Sequence, residues 1–539
     1  MNYRGLQIIL CLLLATPTLA QNRYAIYLKD KANSPYTISQ PSAFLSQRAI
    51  TRRTKNNIPL SPQDLPINPT YKTTIAASGA KVLLTSKWLN ALVVEATPAQ
   101  VATISTLTYV ERTELVAPGK QPAQAYTPNV TNTPTTRTNT GTITATQLNM
   151  LGIDAMHAQN IKGNGVIIAV LDSGFPAVNT AAPFNHLLTK IIDQYNFVNL
   201  NNNPFVNDSH GTEVLSIIAA LKADQYTGAA PEASFCLYVT EHVPDEYRIE
   251  EYQWLSAAER ADSVGADIIN ASLGYNTFDN PAMDYTKSQL DGNTAIVTQA
   301  ASIAASRGII VAVSAGNEGN NTWQTITPPA DADNILAVGS VTSAGIKSTF
   351  SSTGPTADNR IKPDVAALGS STATISTNGT IKYVSGTSEA TPLISGLAAG
   401  ILQQFPQLPI AEVLTAIKQT ASQAAEPNNT LGYGIPNYQR IVTYLNFPVS
   451  TEKAYSQYVF FPNPVNQKKL MVKEKNELHF TFTSITIINS QGVHVKTWQP
   501  TTQEKVIAYQ IDLHQLPSGT YLLQVNTGTS TFVQKIILP

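Results

Sequence analysis

Residues 165–174 read Gly165-Val166-Ile167-Ile168-Ala169-Val170-Leu171-Asp172-Ser173-Gly174, an unbroken apolar run closed by an acid and a turn. A strand with one wet face alternates apolar and polar side chains. This one does not, so it belongs in a sheet buried on both faces, the arrangement of parallel sheets covered by helices. The same pattern returns in SFCLYVT (234–240), DIINASLG (267–274), GIIVAVSAGN (308–317) and NILAVGSV (334–341). Between these runs, HGTEVLSIIAALKA (210–223), YRIEEYQWLSAAERADSVGA (247–266) and TAIVTQAASIAASRG (294–308) carry helical spacing. Apolar strands alternating with helices predict an α/β fold with a parallel sheet over residues 147–446. In such a sheet, functional groups collect beyond the C-terminal ends of the strands.

The flanking sequence divides the 539-residue chain further. Residues 1–20 have a basic start at Arg4, an apolar stretch over 6–14 and small residues at Thr18 and Ala20, the features of a signal peptide; the apolar stretch is too short to cross a bilayer. Residues 21–117 interleave strand-like segments (RYAIYLKD, KVLLTSKWLNALVVEA, VERTELV) with a short helical one (PAQVATISTL), which predicts a small α+β domain. Its QRAITRR segment reads as a solvated helix face. Residues 118–146 are dense in Thr, Pro, Asn and Gly and read as an exposed linker open to proteolysis. Residues 447–539 alternate in short strands with turns at Ser490-Gln491-Gly492 and Pro517-Ser518-Gly519, the pattern of a small all-β sandwich. A net charge of −1 gives no reason to expect a nucleic-acid partner. Of the two cysteines, Cys11 lies in the signal peptide and Cys236 in an apolar strand, so the mature chain has no internal disulfide.

Three positions carry candidate chemistry. Asp172 ends an apolar strand; taken alone it reads as a turn residue. His210 opens a helix whose apolar face includes Val214, Ile217, Ile218 and Leu221, where a lone histidine is ordinary packing. Ser388, in Gly386-Thr387-Ser388-Glu389-Ala390-Thr391-Pro392, sits at the start of an apolar helix and could be a cap, with Pro392 tolerated in the first turn. Together they mean more. A hydroxyl nucleophile needs a base to take its proton, and that base needs an acid to hold its tautomer and stabilise its cation.

The order Asp172, His210, Ser388 on a parallel α/β sheet resembles the catalytic domain of the subtilisin-like serine peptidases. AVLDSG, HGTEV and GTSEATP are similar to that family's Asp, His and Ser motifs. The resemblance implies Ser388 as nucleophile, His210 as general base and then acid, and Asp172 as the orienting acid. Asn317, in Val313-Ser314-Ala315-Gly316-Asn317-Glu318-Gly319, corresponds to the side-chain donor of the oxyanion hole. Such a donor is worth about 3 to 4 kcal/mol. Ser272-Leu273-Gly274 resembles the strand whose backbone pairs with an extended peptide. FSSTGP (350–355) with Lys362-Pro363-Asp364 resembles another recurrent segment. Glu389 departs from the pattern, since many relatives have methionine there. Its charge suits a helix start, yet close to the site it would either stabilise the imidazolium or oppose the oxyanion.

By resemblance the first domain is a propeptide that assists folding and blocks the cleft, with maturation in residues 118–146. Pro462-Asn463-Pro464, Ser490-Gln491-Gly492, Leu516-Pro517-Ser518-Gly519-Thr520-Tyr521 and Lys535-Ile536-Ile537 resemble the C-terminal sorting domain of the Bacteroidetes type IX secretion system. The implied protein is a secreted or cell-surface serine endopeptidase made as a zymogen. Its partners are peptide substrates, its own propeptide and the secretion machinery. No cofactor or metal is required. Calcium sites are common in the family, but the Asp and Asn residues of DQYNFVNLNNNPFVND (193–208) are too plentiful to select ligands. Two alternatives come from other classes. One is an inactive, peptide-binding surface protein of the same fold. The other is an unrelated α/β hydrolase, whose Gly-x-Ser-x-Gly frame fails at Ala390.

Overall fold

The computed structural model describes residues 21–119, 142–446, 458–466, 468–474, 482–489, 493–499, 509–526 and 531–538. The signal peptide, most of the linker and the turn Ser490-Gln491-Gly492 lie outside the described residues.

The N-terminal unit runs β1 (Asn22–Leu28), α1 (Gln47–Lys55), α2 (Pro69–Ala77), β2 (Lys81–Ser86), β3 (Ala91–Ala96), α3 (Pro98–Ser105) and β4 (Val110–Ala117). Its four strands form an antiparallel sheet in the order β2-β3-β1-β4. Thr97 and Gln100 form a capping box at the start of α3, and Ser46 caps α1 by accepting from the Ala49 N–H. One face of the sheet closes over its own core of Ile26, Ile75, Leu92 and Ile104.

The central unit runs β5 (Ile167–Asp172), β6 (Ile191–Asn196), then α4 (His210–Ala219), β7 (Ser234–Val239), α5 (Ile249–Val264), β8 (Ile268–Ala271), α6 (Ile296–Ser306), β9 (Ile310–Ser314), β10 (Leu336–Val341), β11 (Val365–Leu368) and α7 (Thr387–Gln404); β5, β7, β8, β9 and β10 are the predicted strands, and β6 and β11 were not anticipated. The seven strands are all parallel, in the order β11-β10-β9-β8-β5-β7-β6. Strand order reverses around β5, which makes the C-terminal ends of β5 and its neighbour β8 the place where a binding crevice is expected. One face packs on α4 and α7, the other on α5 and α6. Cys236 sits buried in the middle of β7.

The other face of the N-terminal sheet is continuous with the core beneath α5: Tyr27, Leu84, Trp88 and Val93 join Tyr252, Trp254 and Leu255. The Tyr27 and Tyr252 hydroxyls meet at 2.5 Å. Glu259 of α5 accepts the Lys87 and Trp88 N–H groups at 2.9 and 3.0 Å and the Ser86 hydroxyl at 2.5 Å. Here the solvated reading of QRAITRR fails. Arg52 and Arg53 are 4% and 2% exposed and pair with Asp262 of α5 at 2.5 and 2.9 Å, with Lys87 at 3.2 Å. Asp64 bridges Arg53 to Arg307 at 3.1 Å each. The apolar side chains, worth about 1.5–3 kcal/mol apiece when fully buried, supply most of the adhesion. The ion network gains little net energy after desolvation but is costly to break, at about 3–5 kcal/mol for one partner lost.

The C-terminal unit is all-β. Strands Tyr458–Asn466, Lys469–Glu474 and Tyr509–Asp512 form one antiparallel sheet, and Ser484–Asn489, His494–Trp498, Gly519–Asn526 and Thr531–Leu538 another. Val472, Ile485, Ile511, Leu523 and Ile536 fill the core between them.

Candidate active site

Asp172 is fully buried at the end of β5, and its Oδ1 accepts from the Ser173 N–H and the His210 Nδ1–H, both at 2.8 Å. His210 is the first residue of α4, where its N–H donates to Asp208 Oδ1 at 2.9 Å. That start lies against the β5 turn because residue 211 is glycine: a Cβ there would stand 2.4 Å from the Gly174 carbonyl oxygen. The imidazole remains one-third exposed on the cleft side. Burial works to lower its pKa, but the charge and hydrogen bond of Asp172 outweigh it, helped by Glu389 and Glu213, and the imidazole ends raised above its ordinary range.

Ser388 is the second residue of α7, 9% exposed. Its Oγ–H donates to the Ser272 carbonyl at 3.1 Å, and the Ser272 Oγ–H returns a bond to the Ser388 carbonyl at 2.9 Å. Among the described residues His210 Nε2 has no hydrogen-bond partner, so a turn of the serine hydroxyl is needed before base and nucleophile meet; such bonds commonly tighten only with substrate in place. The expectation for Pro392 needs correction. It lies in the sixth position of α7, not the first turn, where an ordinary residue would donate to the Ser388 carbonyl. That freed carbonyl is the one Ser272 satisfies.

Asn317 follows β9 after Gly316, whose φ of +105° is the left-handed turn here. The Asn317 Oδ1 accepts from the Thr387 N–H at 2.9 Å and its hydroxyl at 3.0 Å, which fixes the amide and turns Nδ2 away from Thr387. A Cβ on Gly386 would stand 3.5 Å from that Nδ2, 3.6 Å from the Ser388 nitrogen and 2.6 Å from Glu389 Oε2. Two donors and one carboxylate therefore converge beside a residue that has no side chain. Glu389 is 2% exposed, and burial pushes it up to about 7, with Glu213 adding to the rise and His210 opposing it. Ser272-Leu273-Gly274 continues β8 along the cleft; the Leu273 carbonyl accepts from Ser314, and Gly274 is exposed with its N–H and C=O unpaired among the described residues.

The seven sequence-selected residues thus fall at the C-terminal ends of β5, β8 and β9 and the starts of α4 and α7, with His210 joined to Asp172, Ser388 to Ser272 and Asn317 to Thr387 beside Ser388. Thr387 was missed as the orienter of Asn317, although its place between Gly386 and Ser388 was the available signal. Asp208, which fixes the His210 backbone, was marked only by lying two residues before it.

A model of the subtilase family matches residues 163–434, half of the chain. The chain belongs to the subtilase family. A model of the peptidase S8 propeptide domain of Bacteroidota matches residues 23–132, and one of the secretion system C-terminal sorting domain matches 459–539. Subtilisin E of Bacillus subtilis (strain 168) is 34% identical over 284 residues, 52% of this subtilase and 66% of its own length. A subtilisin of Bacillus pumilus is 35% identical over 272 residues, 50% of this chain and 88% of its own. The solved structure of MycP1 from Mycobacterium smegmatis matches with a TM-score of 0.46 at 22% identity, covering 59% of this chain and 89% of that one. The subtilase carries a propeptide domain in front and a sorting domain behind, and the sorting domain gives it a secreted or cell-surface location. No helix among the described residues is long and apolar enough to cross a membrane.

Proposed function

We propose that this subtilase is a serine endopeptidase, made as a zymogen, that hydrolyses extended peptide segments. The observation that carries the reading is the 2.8 Å contact of His210 Nδ1 with buried Asp172 at the end of β5, with Ser388 bonded to Ser272 at the end of the neighbouring strand β8. Ser388 Oγ attacks the scissile carbonyl carbon while His210 Nε2 takes its proton, and Asp172 stabilises the imidazolium. The resulting oxyanion accepts from Asn317 Nδ2 and the Ser388 N–H. His210 then gives its proton to the leaving amine, and a water deprotonated by the same nitrogen releases the acyl group. The Ser272-Leu273-Gly274 backbone holds the peptide as an added strand. The reaction so written uses no cofactor. The N-terminal domain acts as the intramolecular inhibitor, and the C-terminal domain engages the type IX secretion machinery.

The Ser388 hydroxyl bonded to Ser272 favours a second reading, a subtilase fold that binds peptides without cutting them. Fluorophosphonate labelling of the processed protein, beside a Ser388→Ala variant and with the labelled residue mapped by mass spectrometry, separates the two. Label on Ser388 that vanishes in the variant supports the peptidase. A folded protein freed of its propeptide yet unlabelled would leave only the binding reading.

A further inference from the structure

Beside the cleft, three carboxylates meet with no lysine or arginine paired to any of them among the described residues. Glu241 follows β7 by two residues, Glu250 lies in the first turn of α5, and Glu246 sits on the connection between them. One oxygen from each lies within 4.8 Å of the others. Glu250 is 1% exposed; its Oε1 accepts the His242 N–H at 2.6 Å, whereas its Oε2 is buried with no hydrogen-bond partner among the described residues. Glu241 Oε1 is taken by the Tyr275 and Thr240 hydroxyls. The nearest ion pairs, His242 with Asp245 and Arg248 with Glu114, leave all three glutamates out.

Three carboxylates with oxygens within 4.8 Å of one another, one of them buried with an oxygen unpaired, call for a positive centre between them, a bound cation or a shared proton. The donors are oxygens only, which selects a hard cation. A shell of oxygens at about 2.3–2.6 Å from its ion spans about 5 Å, in keeping with the spacing of this trio. We propose that Glu241, Glu246 and Glu250 bind a divalent cation, calcium by fit, with backbone oxygens and water completing its coordination. The ion would tie the connection after β7 to the start of α5. Through Tyr275, next in the chain after Ser272-Leu273-Gly274, it would also brace the peptide-binding wall. Thr240, whose N–H donates to the Asp172 carbonyl at 2.9 Å, links the same connection to the triad.

The test uses the full-length Ser388→Ala protein, stripped with a chelator and titrated with terbium(III) under tyrosine excitation, since Tyr275 touches Glu241. The expected result is a saturable emission step displaced by calcium, together with a calcium-dependent rise in Tm. Both are lost in Glu250→Gln. In Tyr275→Phe the emission falls while the calcium effect on Tm remains. Should Glu250→Gln fail to fold, Glu246→Gln, nearer the solvent, reads the same site. Emission and calcium response unchanged in the glutamate variants would overturn the proposal. So would glutamine variants that gain stability while the parent ignores calcium, since the trio would then be sharing protons.

Discussion

Replacing Glu389 by glutamine keeps the side chain's shape and removes its charge, so its effect on stability can be worked out from burial. Burial holds the Glu389 carboxyl at about 7 against an ordinary value of 4.5. The folded chain therefore binds this proton more tightly than the unfolded chain does. Stability from this group is full below 4.5 and declines as pH rises to about 7, above which the loss is constant. At about 1.4 kcal/mol per pH unit the loss comes to about 3 kcal/mol. In the Ser388→Ala background, which prevents self-cleavage, Glu389→Gln should raise unfolding free energy by about 3 kcal/mol near pH 8 and change it little near pH 4. Denaturant unfolding at the two pH values measures this directly. A variant destabilised equally at both would refute the reasoning, because Glu389 would then act by packing or hydrogen bonding and not by its buried charge.

Burial lowers and Asp172 more strongly raises the His210 pKa, so activity, which needs the neutral imidazole, should climb with pH above the ordinary histidine value of 6.5. Glu389→Gln removes one raising carboxylate and should move that limb of the kcat/KM profile to lower pH; a move upward would contradict the assignment. Asn317→Ala should cost about 100- to 1000-fold in kcat, the range established for such a donor in a subtilisin, with KM little changed. Asp262→Asn takes from Arg52 and Lys87 their ion-pair partner in the propeptide interface and leaves Arg53 with Asp64 alone, so latency should be lost faster while the Tm of the matured enzyme stays put. The Cys236 thiol, pushed up to about 12 by burial, should resist iodoacetamide in the native protein and react on unfolding, as followed by intact mass.

The parallel sheet was legible because burial on both faces leaves its mark in every residue of runs such as 166–171. Asp172, His210 and Ser388 were legible because each follows or opens such an element, and the resemblance joined them. What the sequence concealed depends on pairs distant in the chain. Arg52 and Arg53 look like a wet face until Asp262, more than two hundred residues on, comes to meet them. Pro392 looked like a first-turn proline because helix starts are hard to place within a turn, and its actual effect, freeing the Ser388 carbonyl for Ser272, needs a second strand to be seen. The glutamate trio is similar: nothing in the sequence singles out Glu241, Glu246 and Glu250, and only the fold brings an oxygen of each together.

The ion network on α5 also gives maturation a direction. While residues 118–146 join the two units, Arg52, Arg53 and Lys87 meet Asp262 at an effective concentration on the order of millimolar, and any opening is followed at once by re-pairing. In the proposed zymogen, a single cut in that connection would leave these contacts in place and turn them into an equilibrium between two molecules. Dilution then does what no rearrangement of the interface has to do. The cations would diffuse away with the propeptide, Glu259 and Asp262 would remain behind to be hydrated, and the step would work as a ratchet.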